Sequence, residues 1–380
     1  MKFSFFMMPC HDPRENPALA FQRDIELIHL ADRLGFDEFY IGEHHSGGWE
    51  TMPAPEMALS MAAANAKRIR LGTSVFSAPF HHPFHLAERM CFLDHLTHGR
   101  AILGVGPCSL VTDKMLFNQD DSTLYPMLHE SIDVIVRLLE ADEPISHEGR
   151  FWQFKDMRLQ LRSFQQPRLP LAMPSAATPA NLERIGRHGM IWLCPVGRNA
   201  RGIADLGERW ALVEKGAAAA GRTADRANWR LTTNMYLAEN ANQAWDDVRA
   251  GIIREAEYFS AIGFKQTYQQ YDGQPFEEFT AESCVDRRDW VVGTPDDAIA
   301  WIERQIADTG GFGGVMLTAH EWTSTEKIAK SLELFARYVM PRFTGMTNNS
   351  LPDEWRRLKG ATAGGQIAFK AGGRPSNLWK

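Results

Sequence analysis

The sequence predicts a single (β/α)8 TIM barrel with insertions and an irregular C-terminal tail, and three observations predict it. Short β-branched or aromatic runs alternate with longer amphipathic segments, the pattern of a parallel βα repeat. Eight such units fit within residues 1–343, with no shift in composition that would separate two domains. At 380 residues, 44% hydrophobic and 23% charged, the chain can bury a large core and remain one domain. The expected division is a barrel over 1–343 and an irregular tail over 344–380, where GATAGGQ and KAGGRP interrupt any periodicity.

Four units are complete by about residue 140. Strands are expected at 2–8, 38–42, 69–77 and 100–106, with helices at 24–36, 55–67, 85–96 and 127–140. The stretch 143–168 reads as an inserted hairpin rich in aromatics and turn residues, placed where a substrate lid could lie. Strands then resume at 169–175, 190–196, 229–238 and 312–319, with helices at 200–220, 241–256 and 325–340. Residues 257–290 form a second insertion.

Charge and composition exclude several functions. The net charge of −6 comes from interspersed residues, without the basic tract that follows a phosphate backbone, so nucleic acid is not expected as a partner. No run approaches the roughly 18 apolar residues needed to span a bilayer, and MKFSFFMMPCHDP meets proline and acid too early for a secretory signal. The five cysteines are scattered without a CxxC pair, as reduced thiols would be, and the protein is expected to be cytoplasmic.

In such a barrel the working groups lie at the carboxyl ends of the strands. The second strand ends in IGEHHSGG, placing Glu43, His44 and His45 there. Adjacent residues of an extended segment point to opposite sides, so at most one histidine faces the pocket. A metal site from Glu43, His44, His81, His82 and His85 is an alternative, although HHP after strand three reads equally well as a helix start. Ser74 and Val75 sit near the mouth on strand three, where small residues let a planar ligand approach the backbone. Gly104 and Gly106 in GVGPCS read either as a weak phosphate loop or as space for barrel packing. After strand five, PSAATPANLERIGRHG offers Ser175 and Thr178 just before a helix, which suits either a phosphate or an ordinary cap. Met8, Met173, Trp192 and Cys194 are read as an apolar pocket lining or as plain core.

Several of these segments, taken in order, resemble the bacterial luciferase family of flavin-dependent monooxygenases. They are MKFSFFM, LADRLGFDEFYIGEHH, RLGTSVFSAPFHHPFHLAE, DHLTHGR and VGTPDDAIAWIERQIADTGGFGGVML followed by LELFARYVMPRF, and they span the chain to about residue 343. The resemblance implies that His44 is the pocket histidine beside the flavin, with Glu43 and His45 as neighbours. It implies that Ser74-Val75 lies against the isoalloxazine ring, often through a non-proline cis bond, and that Ser175 and Ala176 receive the FMN phosphate. Gly106 and Tyr125 occupy flavin-binding positions, but where luciferase itself carries a cysteine and an arginine this chain has Gly106 and Pro107, and another phosphate-binding arginine is replaced by Tyr125. Light emission is therefore not implied, and Arg100, Arg162 or a residue of the second half would have to replace those arginines. The terpene- and alkane-oxidising branch, limonene and alkanal monooxygenases among it, is the nearer likeness.

The same resemblance implies an activity. Reduced FMN, from a separate NAD(P)H-dependent flavin reductase, would react with O2 to give a C4a-hydroperoxide that oxidises a small apolar organic substrate, with His44 moving a proton. No dinucleotide fingerprint occurs in the chain, which favours a separate reductase. An F420-dependent dehydrogenase on the same fold, a non-catalytic flavin-binding protein and a metal-dependent hydrolase are the rivals. A homodimer is expected, with the alanine- and methionine-rich helix at 56–66 suited to the contact.

Overall fold

Parallel strands are short and hydrophobic here because both of their faces are covered, one by the barrel interior and one by helices. In the computed structural model, which describes residues 1–8, 10–197, 205–347 and 351–363, the barrel strands are β1 (Lys2–Met7), β2 (Glu38–Ile41), β3 (Arg70–Thr73) and β4 (Ala101–Gly106). They continue as β5 (Leu171–Pro174), β6 (Ile191–Pro195), β7 (Trp229–Thr233) and β8 (Gly314–Ala319). Each pairs in parallel with its neighbours in chain order, and β8 pairs with β1 from Lys2 opposite Gly314 to Met7 opposite Ala319, which closes the ring.

Period-two alternation sorts the strand side chains. Phe6, Tyr40, Ile102, Ala172, Ile191, Leu193 and Met316 fill the interior. Phe3, Phe5, Phe39, Leu103, Met173, Trp192 and Leu231 point outward into the layer shared with the helices. Near the amino end of the interior, Arg230 and Glu38 form a buried pair, with Nε and an Nη of the arginine each 3.0 Å from the carboxylate, and Ser4 Oγ and Tyr40 OH donate to the same group.

The helices sit as expected, with local shifts at their starts. Helix α1 (Pro17–Leu34) begins earlier than its apolar period because Asn16 caps it by accepting from Ala18 N and Pro17 occupies the first turn. It stops at Gly35, whose φ of 87° favours glycine. Helices α2 (Pro55–Ala63) and α3 (Pro83–Leu96) follow β2 and β3. Helix α4 (Asp121–Glu140) also starts early, because Asp120 caps it and Pro126 is tolerated inside. Helices α5 (Pro179–His188) and α6 (Leu206–Ala219) follow β5 and β6, the expected start of the latter at 200 lying outside the described residues.

Three expectations are corrected. The strand expected at 69–77 is interrupted: Ser74-Val75 is a cis peptide, and Phe76–Ser77 pairs separately with β4. The 143–168 hairpin exists, as Ile145–Glu148 against Gln153–Met157, but none of its residues lines the cavity at the carboxyl face. It joins a helix to the next strand, so it returns at the amino end, where Gln165 Nε2 donates to Ala101 O at the start of β4. Part of the tail expected to be irregular, Leu351–Ala363, is helical, while 348–350 and 364–380, with the KAGGRP stretch, lie outside the described residues. The second insertion does cover the carboxyl face. With helix α7 (Ala241–Phe259) and Trp322 it forms its own apolar cluster, including Tyr258, Phe259, Tyr268 and Trp290. Among the described residues no helix is long and apolar enough to cross a membrane.

Candidate active site

The carboxyl ends of the strands surround a cavity of about 330 Å³. Phe6 and Met8 line it from β1, Glu43 and His44 from β2, Ser74 and Val75 from the interruption after β3, and Met316, Thr318 and His320 from β8. The second insertion roofs it with Phe259, Phe264, Tyr268 and Trp290. This is an apolar enclosure with a few convergent polar groups, the usual form of a small-molecule site.

His44 is held by two acids. Its Nδ1 lies 3.1 Å from Asp113 Oδ2, and its Nε2 lies 3.0 Å from Glu50 Oε2, yet that oxygen has no hydrogen-bonding partner, so the second approach is out of line. Burial pushes the imidazole down, but the bond to Asp113 and the charges of Glu50 and Asp113 outweigh it and hold its pKa above the ordinary histidine value. Burial pushes Glu50 up. Asp113 also accepts from His45 N at 3.1 Å and from Ser46 Oγ, locking the loop after β2.

His45 turns away, as alternation requires: its Nε2 is 2.8 Å from Glu43, and its ring packs edge-on against Phe80 and Phe117. Glu43 also binds His81 Nε2 at 2.9 Å, and these two imidazoles hold its carboxyl below the usual range despite burial, which pushes it up. The five residues offered as a metal set do not converge, since His44 faces Asp113 and Glu50, His82 packs on Trp152, and His85 is an exposed neighbour of Glu88. Elsewhere His11, Glu15 and Glu321 bring ligand atoms within 4.8 Å of one another, but Arg23 already bridges the two carboxylates and supplies the positive charge.

The remaining predicted residues divide. A Cβ on Gly106 would stand 2.7 Å from Val75 Cγ2, so this glycine makes room for Val75. Ser175 is buried and its Oγ has no partner; it lies just before α5, whose cap Thr178 makes no side-chain cap bond. An orphaned hydroxyl beside the free N–H groups of a helix start is what a phosphate group would satisfy, so the chain's residues fit that part of FMN. Ala176 adjoins it. Two assignments are corrected. Met173 and Trp192 lie in the outer layer, where Trp192 stacks on Trp229 at 4.9 Å, because one residue's difference in register turns a side chain out of a barrel. Cys194 shares that layer. Tyr125 lies on α4 and, like Ser175, outside the cavity lining.

Sequence reading missed the other imidazole. His320 follows β8 directly and lines the cavity, with Nδ1 2.5 Å from Glu255, which also accepts from Trp322 Nε1 at 2.6 Å and Tyr268 OH at 3.0 Å. The rule that gave His44, reading past the end of each strand, finds it in MLTAHEW once the last strand is included. Glu50, Asp113 and Glu255 had no local signal, because none directly follows a barrel strand: Glu50 lies in the connection after β2, Asp113 on the short helix Val111–Leu116 and Glu255 on α7.

The chain matches the family model described as luciferase-like monooxygenase over residues 1–312. It is 38% identical to 4-hydroxyprotoasukamycin monooxygenase of Streptomyces nodosus subsp. asukaensis, over 91% of this chain and 93% of that protein. It is 36% identical to limonene 1,2-monooxygenase of Rhodococcus erythropolis, over 90% of this chain and 87% of that one. Its fold is also that of the oxygenating constituent of 3,6-diketocamphane monooxygenase from Pseudomonas putida, solved with FMN, at a TM-score of 0.75 and 24% identity over 90% of this chain and 98% of that one. With a family model covering most of its length and relatives this similar along nearly all of it, the chain belongs to the luciferase-like monooxygenases and is a flavin-dependent monooxygenase.

Proposed function

We propose that this enzyme takes reduced FMN from a separate NAD(P)H-dependent flavin reductase and uses O2 to insert one oxygen atom into a small, largely apolar organic molecule. The observation that carries this reading is the cavity itself. It places a positively biased His44 beside the Ser74-Val75 backbone, under an aromatic roof, within one barrel mouth. Bound reduced FMN would supply the electrons that activate oxygen.

The protein's own groups have definable tasks. Ser175 and the start of α5 hold the phosphate. The backbone at Ser74-Val75, with Gly106 behind Val75, gives a flat surface for the ring. His44, whose protonated form Asp113 and Glu50 favour, offers a proton at Nε2 while Asp113 fixes the ring through Nδ1. Phe259, Phe264, Tyr268 and Trp290 exclude water, which favours oxygen transfer over hydrolytic loss of reactive species. The compounds named for the two relatives, limonene and 4-hydroxyprotoasukamycin, support an organic molecule that this lining can hold. The protein works in the cytoplasm, where its five free cysteines remain reduced.

The test is to supply photoreduced FMN and isotopically labelled O2 with a panel of terpenes, ketones and phenols, and to look for one labelled oxygen in a product. Turnover with reduced F420 in the absence of oxygen would instead establish the hydride-transfer chemistry of the rival reading. His44→Ala is expected to keep flavin affinity while product formation falls on the order of a hundredfold. Unchanged turnover would remove His44 from proton transfer.

A further inference from the structure

The cavity wall carries a cluster of hydrogen-bond donors that the proposed chemistry does not use. Arg288 ends the helix Ala281–Arg288, and its carbonyl lies against Gly197, just beyond β6, while Thr233 Oγ1 at the end of β7 donates to Asp289 O. The guanidinium therefore enters the mouth over the ends of β6 and β7. It sits 5.9 Å from the Tyr268 ring and 5.5 Å from the Trp290 ring, both of which line the cavity.

Stacking alone does not account for this arginine. Its Nε is buried without a partner, and two neighbours on the same wall share that condition, Thr232 Oγ1 and Asn234 Nδ2. Buried donors are normally satisfied, so three orphans converging on one cavity mark the place of an absent acceptor. The acids of the cavity do not fill it. Glu43 binds His45 and His81, Glu50 faces His44 and Tyr258, and Glu255 binds His320, Trp322 and Tyr268.

We propose that Arg288, Asn234 and Thr232 form an anion subsite, across the barrel from Ser74-Val75, that binds a carboxylate or other anionic oxygen of the substrate. The inference rests on the flavin-oxygenase reading and deepens it. With the FMN phosphate assigned to Ser175 and the start of α5, the acceptor sought here is an acidic end on the substrate. The two other arginines open to this role are engaged elsewhere. Arg100 donates to Ile69 O and Thr97 O, each at 2.8 Å, and Arg162 pairs with Asp142 at 2.7 Å on the surface. A guanidinium held close to two aromatic rings also keeps its fork of donors available for a planar, two-oxygen acceptor.

Binding measurements on the full-length protein separate the possibilities. Dissociation constants are measured for oxidised FMN, for riboflavin, which lacks the phosphate, and for benzoate against benzyl alcohol, with wild type, Arg288→Met and Arg288→Lys. If the FMN phosphate occupies the subsite instead, Arg288→Met weakens FMN roughly ten- to a hundredfold, leaves riboflavin within about twofold, and Arg288→Lys recovers part of the loss, which overturns both the substrate assignment and the placement of the phosphate at Ser175. If an acidic substrate group occupies it, both flavins are unchanged and benzoate loses about tenfold while benzyl alcohol does not. All four ligands unchanged, or all four weakened alike, overturns the subsite. Asn234→Ala gives the same discrimination, in smaller measure, should Arg288→Met not fold. A folded wild type that binds neither flavin refutes the flavin reading, whereas the benzoate comparison still judges the subsite.

Discussion

Glu38 shows what a single residue contributes when it is buried and charged. Burial alone would push its carboxyl up, but the Arg230 guanidinium and the Ser4 hydroxyl reverse this and hold it at about 2. The pair lies inside the barrel with both side chains almost fully enclosed, so removing one charge strands the other. Glu38→Gln is expected to cost about 3–5 kcal/mol in chemical unfolding, and a cost below about 1 kcal/mol would show that Arg230 finds another partner. His11 behaves in the opposite sense. Burial pushes it down, yet its bonds to Asp24 and Glu321 raise it from 6.5 to about 9. Since the charged form is the one stabilised, its contribution is complete below about 6.5 and disappears as pH rises through about 9. In His11→Gln the decline of melting temperature across that interval should flatten, and a slope equal to wild type would contradict the assignment.

Among the elements, α5 and α6 are brought together by two glycines. A Cβ on Gly186 would stand 1.9 Å from Val213 O, and one on Gly216 would stand 1.8 Å from Glu183 O. Backbone cannot yield as a flexible side chain does, so Gly216→Ala must drive the helices apart. We expect a loss of about 1–3 kcal/mol, with a weaker hold on FMN because the start of α5 moves with the helix. Equal stability of wild type and variant would mean that the pair has slack. The two insertions show why connection type matters more than composition. Both are aromatic-rich, but the 143–168 hairpin lies in the helix-to-strand connection from α4 to β5 and returns at the amino end, whereas residues 257–290, together with α7, lie in the long connection from β7 to the helix Pro295–Thr309 and reach the mouth.

At the scale of the molecule, α2 and α3 expose large apolar side chains side by side: Met57 at 71%, Met61 at 66%, Phe92 at 58% and Leu96 at 48%. A solvent-exposed apolar group of this kind marks an interface, and we propose that it joins two copies of the chain. Met61→Glu combined with Phe92→Glu should convert a dimer to monomers in sedimentation analysis while leaving the fold intact by circular dichroism. A wild type that sediments as a monomer at micromolar concentration would end this proposal.

The amino-acid sequence by itself determined the strand count, the parallel order and the end of the barrel where chemistry lies. Those features depend on periodicity and on the repeated βα connection, which are local properties of the chain. It also singled out His44, Ser74-Val75 and Ser175, because each follows directly from a strand. Tertiary structure alone decided which way each side chain faces and which distant groups meet. It turned Met173 and Trp192 outward, set Asp113 and Glu50 around His44, and carried Glu255 to His320 and Arg288 to Asn234. Register and insertion geometry settle such pairings, and a linear pattern holds neither: a one-residue shift inverts a strand's faces, and a loop of about thirty residues can end anywhere its length allows.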